Sequence, residues 1–200
     1  DLGKQYLLAN VPEYQLRLTV NDKIIKHYRV VVGKPGRTAT PQLSEMVEAV
    51  IFNPTWTVPQ SIVKGEGLGA KVLNNPGWAR ANNYTATKGA NGWITVVQQP
   101  GPGNSLGLMK LDMPNPHAIF FHDTPAKSLF ARDVRALSHG CIRVQGAREL
   151  AMTMAMLGNA ESREDLPAIQ QEVSEITASG KYTRYPMEKQ WPAYITYFTY

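Results

Sequence analysis

Apolar and polar residues alternate from Tyr14 onward: Tyr14, Leu16, Leu18 and Val20 are separated by Gln15, Arg17 and Thr19, the period-two pattern of a half-buried strand. Asn21-Asp22-Lys23 makes a turn and Ile24 to Val32 returns to Gly33, so this segment predicts a β-hairpin. After a Pro35-Gly36 turn, Met46 to Phe52 predicts another strand, closed by Asn53-Pro54. Trp93 to Gln98, Leu106 to Leu111 and Ala118 to Phe121 are further candidate strands, with a tight glycine-rich loop at Pro100 to Asn104.

The period then changes. Ala147, Leu150, Ala151, Met154 and Leu157 follow helical spacing, and Gly158 reads as the stop. Ser162 and Asp165 resemble a capping box, and Leu166, Ile169, Val173 and Ile176 mark a second helix ending at Ser179-Gly180. Ala193 to Tyr200 reads as a final strand. Many strands with two or three helices predict a mainly β domain.

Residues 55–92 break the pattern. Pro59-Gln60-Ser61 can open a short helix, but glycines and Asn74-Asn75-Pro76-Gly77 punctuate the rest. So long an irregular stretch in a compact domain is usually functional. We read it as an insertion forming one wall or cap of a site, against the alternative of a solvated surface excursion.

The chain has 200 residues, 43% of them hydrophobic, enough for one domain with a substantial core, here taken as residues 1–200 with 55–92 as the capping insertion. A net charge of +5 and a pI near 9.3 suit an anionic partner or surface. The basic residues are scattered singly, with neither zinc-finger spacing nor an aromatic nucleic-acid-binding strand, so no nucleic-acid partner is expected. No stretch has the length and apolarity of a membrane span, and Asp1-Leu2-Gly3-Lys4 is not a signal peptide, so a mature fragment or excised domain is expected.

The single cysteine, Cys141, precludes an internal disulfide and a thiolate-rich metal site. By residue type alone a lone cysteine is most often a small apolar filler. Its neighbours, Ser138-His139-Gly140-Cys141-Ile142-Arg143, argue otherwise. Acyl transfer by a thiol needs a nucleophile, a base, and donors where the carbonyl oxygen gains charge. Gly140 lets the chain turn so that the amides of His139, Gly140 and Cys141 aim at one point.

Two histidines compete as the base: His139, close in sequence, and His122, which ends the apolar run Ala118-Ile119-Phe120-Phe121 and is favoured by that rigid position. Asp123, Thr124, Ser138 or a main-chain carbonyl are candidates to orient the ring. Arg143 has three readings: holding a substrate carboxylate, lowering the thiol pKa, or anchoring a loop. His27 and His117 read as surface or packing residues. A zinc set of His117, His122, His139, Asp112 and Cys141 has no established ligand spacing, so neither metal nor cofactor is expected.

The segment from His122 through Ser138-His139-Gly140-Cys141-Ile142-Arg143 resembles the L,D-transpeptidases with a YkuD-type catalytic domain. Val11-Pro12-Glu13-Tyr14, Val58-Pro59, Gln99-Pro100-Gly101-Pro102, Asn104-Ser105-Leu106-Gly107, His122-Asp123-Thr124-Pro125 and Arg135-Ala136-Leu137-Ser138 are similar to its large periplasmic, YcbB-like branch. The resemblance implies a β-sandwich or barrel in which Cys141 attacks the carbonyl before the terminal D-Ala of a tetrapeptide stem. The acyl group then passes to a side-chain amine of another stem, a 3→3 peptidoglycan crosslink.

It further implies His122 as general base oriented by a main-chain carbonyl, with Asp123 in support, and His139-Gly140-Cys141 shaping the oxyanion pocket. Arg143, Ser138, Asp123 and Trp56 are the implied substrate-side residues; Trp78 and Trp93 are candidates to line the cap with Trp56. Carbapenem-like β-lactams are implied inhibitors, the periplasm or cell envelope the location, and upstream scaffold and wall-binding regions the parts this chain lacks.

Two departures mark the chain: Thr40-Pro41-Gln42-Leu43 lacks the glycine of small family members, and Arg143 stands where many have Asn. Alternatives remain: L,D-carboxypeptidase or endopeptidase hydrolysis on the same site, and a non-catalytic wall-binding module. A cysteine redox role lacks a resolving cysteine.

Overall fold

The structure, a computed structural model, describes residues 2–199. It opens with β1 (Tyr6–Asn10), β2 (Gln15–Val20), β3 (Lys23–Gly33) and β4 (Leu43–Phe52). A lobe follows, made of β5 (Trp56–Thr57), α1 (Gln60–Gly65), α2 (Leu68–Asn74), α3 (Pro76–Ala81), β6 (Tyr84–Lys88) and β7 (Ile94–Gln98). Then come β8 (Met109–Asp112), β9 (Phe121–His122), β10 (Ala136–Ser138), β11 (Ile142–Val144), α4 (Ala147–Asn159), α5 (Leu166–Ser179) and β12 (Thr183–Thr196).

Nine strands form the main sheet in the order β10-β3-β11-β9-β8-β4-β12-β1-β2, and β2 also pairs with β3. That extra pairing closes the sheet on itself, leaving β10 as an appendage and few exposed edges. The predicted hairpin is β2–β3, with Leu16 opposite Tyr28; its two-residue loop, Asn21 and Asp22, has φ values of 51° and 64°. Asn and Asp tolerate this left-handed geometry, whose twist matches that of the strands.

The main core joins Leu7, Leu18, Val30, Val50, Phe121, Ile142 and Trp191 of the sheet to Leu150 and Met154 of α4. Side-chain parity along the strands then sorts the two faces. Met109, Leu111, Phe121, Ile142 and Val144 belong to this core, so Lys110, His122 and Arg143 project from the opposite face.

The insertion is more ordered than its sequence suggests. Its strands form a separate sheet in the order β5-β7-β6, and Val58, Val63, Val72, Ala79 and Val96 make a second core against which Trp56, Trp78 and Ile94 pack. The predicted strand at 93–98 belongs to this lobe, starting at Ile94. Helices of six or seven residues are too short to show helical periodicity, which is why the sequence reads as irregular.

Four other expectations shift, the first being Ala118–Phe121, which shortens to Phe121–His122 because Ala118 turns at φ 52°. Leu106–Leu111 shortens to Met109–Asp112 because Asn104 Oδ1 accepts the Leu106 amide at 2.8 Å and Gly107 adopts φ 63°, a turn rather than a strand. The last strand begins at Thr183, not Ala193, and ends at Thr196; Tyr200, the end of the predicted strand, lies outside the described residues. Pro186 hides its first half, and it is tolerated because β1 pairs with β12 only from Ala193 onward.

Gly158 does not stop α4, which continues to Asn159. A Cβ there would lie 2.8 Å from Met187 Cβ and Cγ, so the glycine allows close approach of α4 to β12. The second helix matches its prediction: the Ser162/Asp165 capping box is formed and Gly180 caps the end at φ 67°. Gly158→Ala is expected to destabilise the domain by about 1–3 kcal/mol through overpacking, measured by urea unfolding.

Candidate active site

Two very short strands build the site. β9 and β11 pair in parallel with Phe121 opposite Ile142 and His122 opposite Arg143, and β8 brings Lys110 opposite His122 from the other side. Ile142 N–H donates to Phe120 C=O at 3.1 Å, extending the pairing back toward Cys141. With a side-chain period of two, Lys110, His122 and Arg143 share one face; Phe120, whose ring contacts Lys110 and His122, and Cys141, on which the charges of Lys110 and Arg143 act, border it.

The nucleophile loop is held from within and from outside. Ser138 Oγ donates to Cys141 C=O at 2.6 Å and accepts Gly140 N–H at 3.1 Å. Thr40 Oγ1 donates to Gly140 C=O at 2.7 Å while accepting Gly33 N–H at 2.9 Å. Gly140 has φ 126°, a region that side chains avoid, and a Cβ there would lie 3.1 Å from Ile119 Cδ1. The Gly140 amide is therefore engaged by Ser138, and among the described residues the His139 and Cys141 amides carry no hydrogen bond. Those two donors remain from the three-amide pocket expected from the sequence.

His122 is buried, 5% exposed, with its Nδ1 against the main-chain carbonyl of Asp123 in a short hydrogen bond. Nδ1–H is the donor, so Nε2 carries the lone pair. Burial is the main cause that pushes the imidazole down to about 4; Arg143 and Lys110 add to it and the Asp123 carbonyl opposes it. The thiol moves the other way: burial raises it, against a main-chain hydrogen bond at Phe120 and the charges of Lys110 and Arg143. Both groups therefore rest neutral, and Cys141 S–H points to Ala118 C=O at 3.6 Å rather than to the imidazole. Ala118 has φ 52°, and Asn115, donating to Ile119 C=O at 2.7 Å, fixes the turn that presents its carbonyl.

Not every predicted residue converges here. The Asp123 carboxylate turns away from the ring, accepting Leu108 N–H at 3.0 Å and pairing with Lys127. The Asp123 carboxylate and the Ser138 hydroxyl are both buried and hydrogen-bonded within the protein. His139 is exposed, its Nε2 3.8 Å from Glu66 at the end of α1, so its ring faces the lobe. Trp56 lies opposite Gln98 in the lobe sheet and packs on the second core; Trp78 stacks on Tyr84 at 5.6 Å, and Trp93 is exposed beneath Lys64.

Lys110 and Phe120 also lie beside His122, and sequence patterning does not single them out. The Lys110 ammonium sits 4.9 Å from the Phe120 ring centroid, which is 5.6 Å from that of His122. The local signal is the alternation Met109-Lys110-Leu111-Asp112, where an apolar pair implies a polar face. A cleft of about 210 Å³, lined by Lys110, Asp112, Pro114, Ala118 and Phe120 among others, opens beside the thiol's carbonyl acceptor.

Residues 4–158 match the model of the YkuD L,D-transpeptidase catalytic domain, and the chain belongs to that family. A Haemophilus influenzae protein provisionally named an L,D-transpeptidase is 29% identical over 209 aligned positions, covering 96% of this chain. The chain spans 40% of that relative's length. Among solved structures, an L,D-transpeptidase from Mycobacterium smegmatis aligns at a TM-score of 0.44 with 11% identity, covering 96% of this chain and 58% of its own. L,D-transpeptidase 3 of Mycobacterium tuberculosis with a faropenem-derived adduct gives 0.44 and 12%, covering 96% and 60%. The C442S mutant of the Enterococcus faecium enzyme gives 0.42 and 13%, covering 98% and 50%.

The depressed imidazole fixes a pH dependence of stability. Between pH 6.5, the ordinary histidine value, and about 4, the unfolded chain binds a proton at His122 that the folded chain refuses, so stability falls as pH falls through this window. The loss amounts to a few kcal/mol. Urea unfolding at pH 7 and pH 4.5 is expected to show this loss in the wild type and a smaller one in His122→Gln.

Proposed function

We propose that the domain is a cysteine acyltransferase that crosslinks peptidoglycan stems 3→3. The observation that carries this reading is the orientation of His122: Nδ1 is fixed by the Asp123 carbonyl, leaving a basic Nε2 on the face that Cys141 borders. An unprotonated imidazole throughout the neutral range is a base ready to act, and it needs only to accept the thiol proton as the substrate carbonyl arrives.

In the reaction, Sγ–H gives its proton to Nε2 and the sulfur electron pair bonds to the carbonyl carbon that precedes the terminal D-Ala. The carbonyl oxygen takes the negative charge within reach of the His139 and Cys141 amides. The carbon–nitrogen bond breaks, its electron pair stays on nitrogen, and Nε2–H supplies the proton that releases D-Ala. A stem side-chain amine then attacks the thioester and loses a proton to Nε2, and the carbon–sulfur bond breaks with the proton returning to Sγ. Water in place of the amine gives L,D-carboxypeptidase or endopeptidase hydrolysis by the same steps.

A carbapenem offers a strained amide carbonyl to the same thiol and is the proposed inhibitor. Such a substrate sets the proposed location outside the cytoplasmic membrane, where the chain's net charge of +5 suits an anionic wall. Neither metal nor cofactor enters the steps.

The test is incubation with imipenem followed by intact-protein mass, and with disaccharide-tetrapeptide followed by product analysis. A mass increment absent in Cys141→Ala, together with crosslinked dimer, supports the transferase. Free tripeptide alone selects the hydrolase; no adduct and no product select a wall-binding module. His122→Ala is expected to slow acylation by about 10²-fold or more, the usual worth of a general base, and His139→Ala by less than tenfold. Equal rates for His122→Ala and wild type would remove His122 from the base role.

A further inference from the structure

Lys110 and Arg143 flank His122 from the strands on either side of it. Both are half-buried, and among the described residues neither pairs with a carboxylate. The acidic side chain closest in sequence to Lys110, Asp112, is held by Arg184 Nε at 3.1 Å. Lys110 rests instead on the Phe120 ring. Two partly desolvated cations on one face with a neutral imidazole, bordered by a neutral thiol, repel each other and have lost hydration, and an anion arriving from outside offsets both effects. Burial lowers the affinity of each for its proton, in keeping with that imbalance.

Strand order separates their tasks. The thiol and Arg143 belong to the β11 side, His122 to β9 and Lys110 to β8. The attacked carbon must sit over Cys141, while the departing nitrogen must sit against the imidazole that returns its proton. The bond being broken therefore runs from β11 toward β9, and its continuation lies over β8. A carboxylate one carbon beyond the departing nitrogen falls on the Lys110 side.

Resting on the acyl-transfer reading above, we propose that Lys110 is a specificity residue: its ammonium receives the C-terminal carboxylate of the amino acid that leaves. Lys110 makes and breaks no covalent bond. Its three donors and compact charge suit a freely departing carboxylate better than a rigid guanidinium, which would retain it. Donors carrying a free terminal carboxylate are thereby selected over those with that group amidated.

The experiment compares a tetrapeptide stem ending in a free carboxylate with the same stem ending in a primary amide, following release of D-Ala or D-Ala amide by mass spectrometry. Wild type is expected to favour the acid in kcat/KM. The acid-to-amide ratio is expected to fall about 10- to 100-fold in Lys110→Met and in Lys110→Gln, and to stay within about threefold of wild type in Lys110→Arg. The ratio is internal to each preparation, so partial misfolding cancels.

An equal loss for both donors in Lys110→Met, or a ratio that collapses in Arg143→Met but not in Lys110→Met, overturns the proposal. So does a wild type that processes the amide as fast as the acid, a result that needs no variant. Failure of the acyl-transfer reading looks different: wild type then releases nothing from either donor and forms no imipenem adduct at Cys141.

Discussion

The parallel pairing of β9 with β11 is the constraint on which the site depends. It is only two register pairs long, Phe121 with Ile142 and His122 with Arg143, yet it decides which side chains meet. Because strand parity is two, a slip of one residue would send His122 into the core and bring Phe121 to the site. So short a ladder cannot hold its own register. The surrounding contacts do it: Phe121 and Ile142 are fully buried in the core, while Thr40 ties Gly33 to Gly140 and Ser138 ties both ends of the nucleophile loop.

The same burial that fixes the register sets the electrostatics. A thiolate–imidazolium pair would require two charges in a poorly solvated cleft, one of them against the like charges of Lys110 and Arg143. The neutral pair is the resting state. The two cations favour the thiolate and disfavour the imidazolium, so they help the sulfur to ionise but not the ring to keep the proton. In the proposed reaction this asymmetry pushes the proton onward from Nε2 to the leaving nitrogen, while the anionic substrate screens the cations as it binds.

The sequence already carried the elements with long periods: the β2–β3 hairpin, α4 and α5 repeat their pattern often enough to be read, and the Cys141 and His122 candidates stood out chemically. The lobe was legible only as an interruption, because its helices complete fewer than two turns and its core is assembled from separate pieces. Residues whose roles come from tertiary partners were not legible at all. Gly158 reads as a stop in the sequence, but its position beside Met187 gives it a packing role, and nothing local marks Thr40 as the hydroxyl that bridges Gly33 and Gly140. Lys110 required knowledge that β8 lies next to β9, which no local pattern supplies.

The attachment of the lobe and the orientation of the base share one structural path. The chain leaves the main sheet at Asn53, whose side chain donates to Ile176 and Lys181 carbonyls at 3.0 and 3.1 Å and whose N–H donates to Leu108 C=O at 2.9 Å. It returns through Gln98 and Asn104: Gln98 Oε1 accepts Ser105 N–H at 2.8 Å, and Asn104 donates to Gln98 and Gln99 carbonyls. The return loop ends at Gly107, where a Cβ would lie 2.4 Å from Asp123 Oδ2, and at Leu108, whose N–H holds that same carboxylate. Asp123 in turn presents the carbonyl that fixes Nδ1 of His122. Buried amides at both junctions tolerate little displacement, because each would leave a polar group unpaired. The insertion is therefore wired to the imidazole through main chain and carboxylate, and the position of the lobe and the direction of Nε2 are set together.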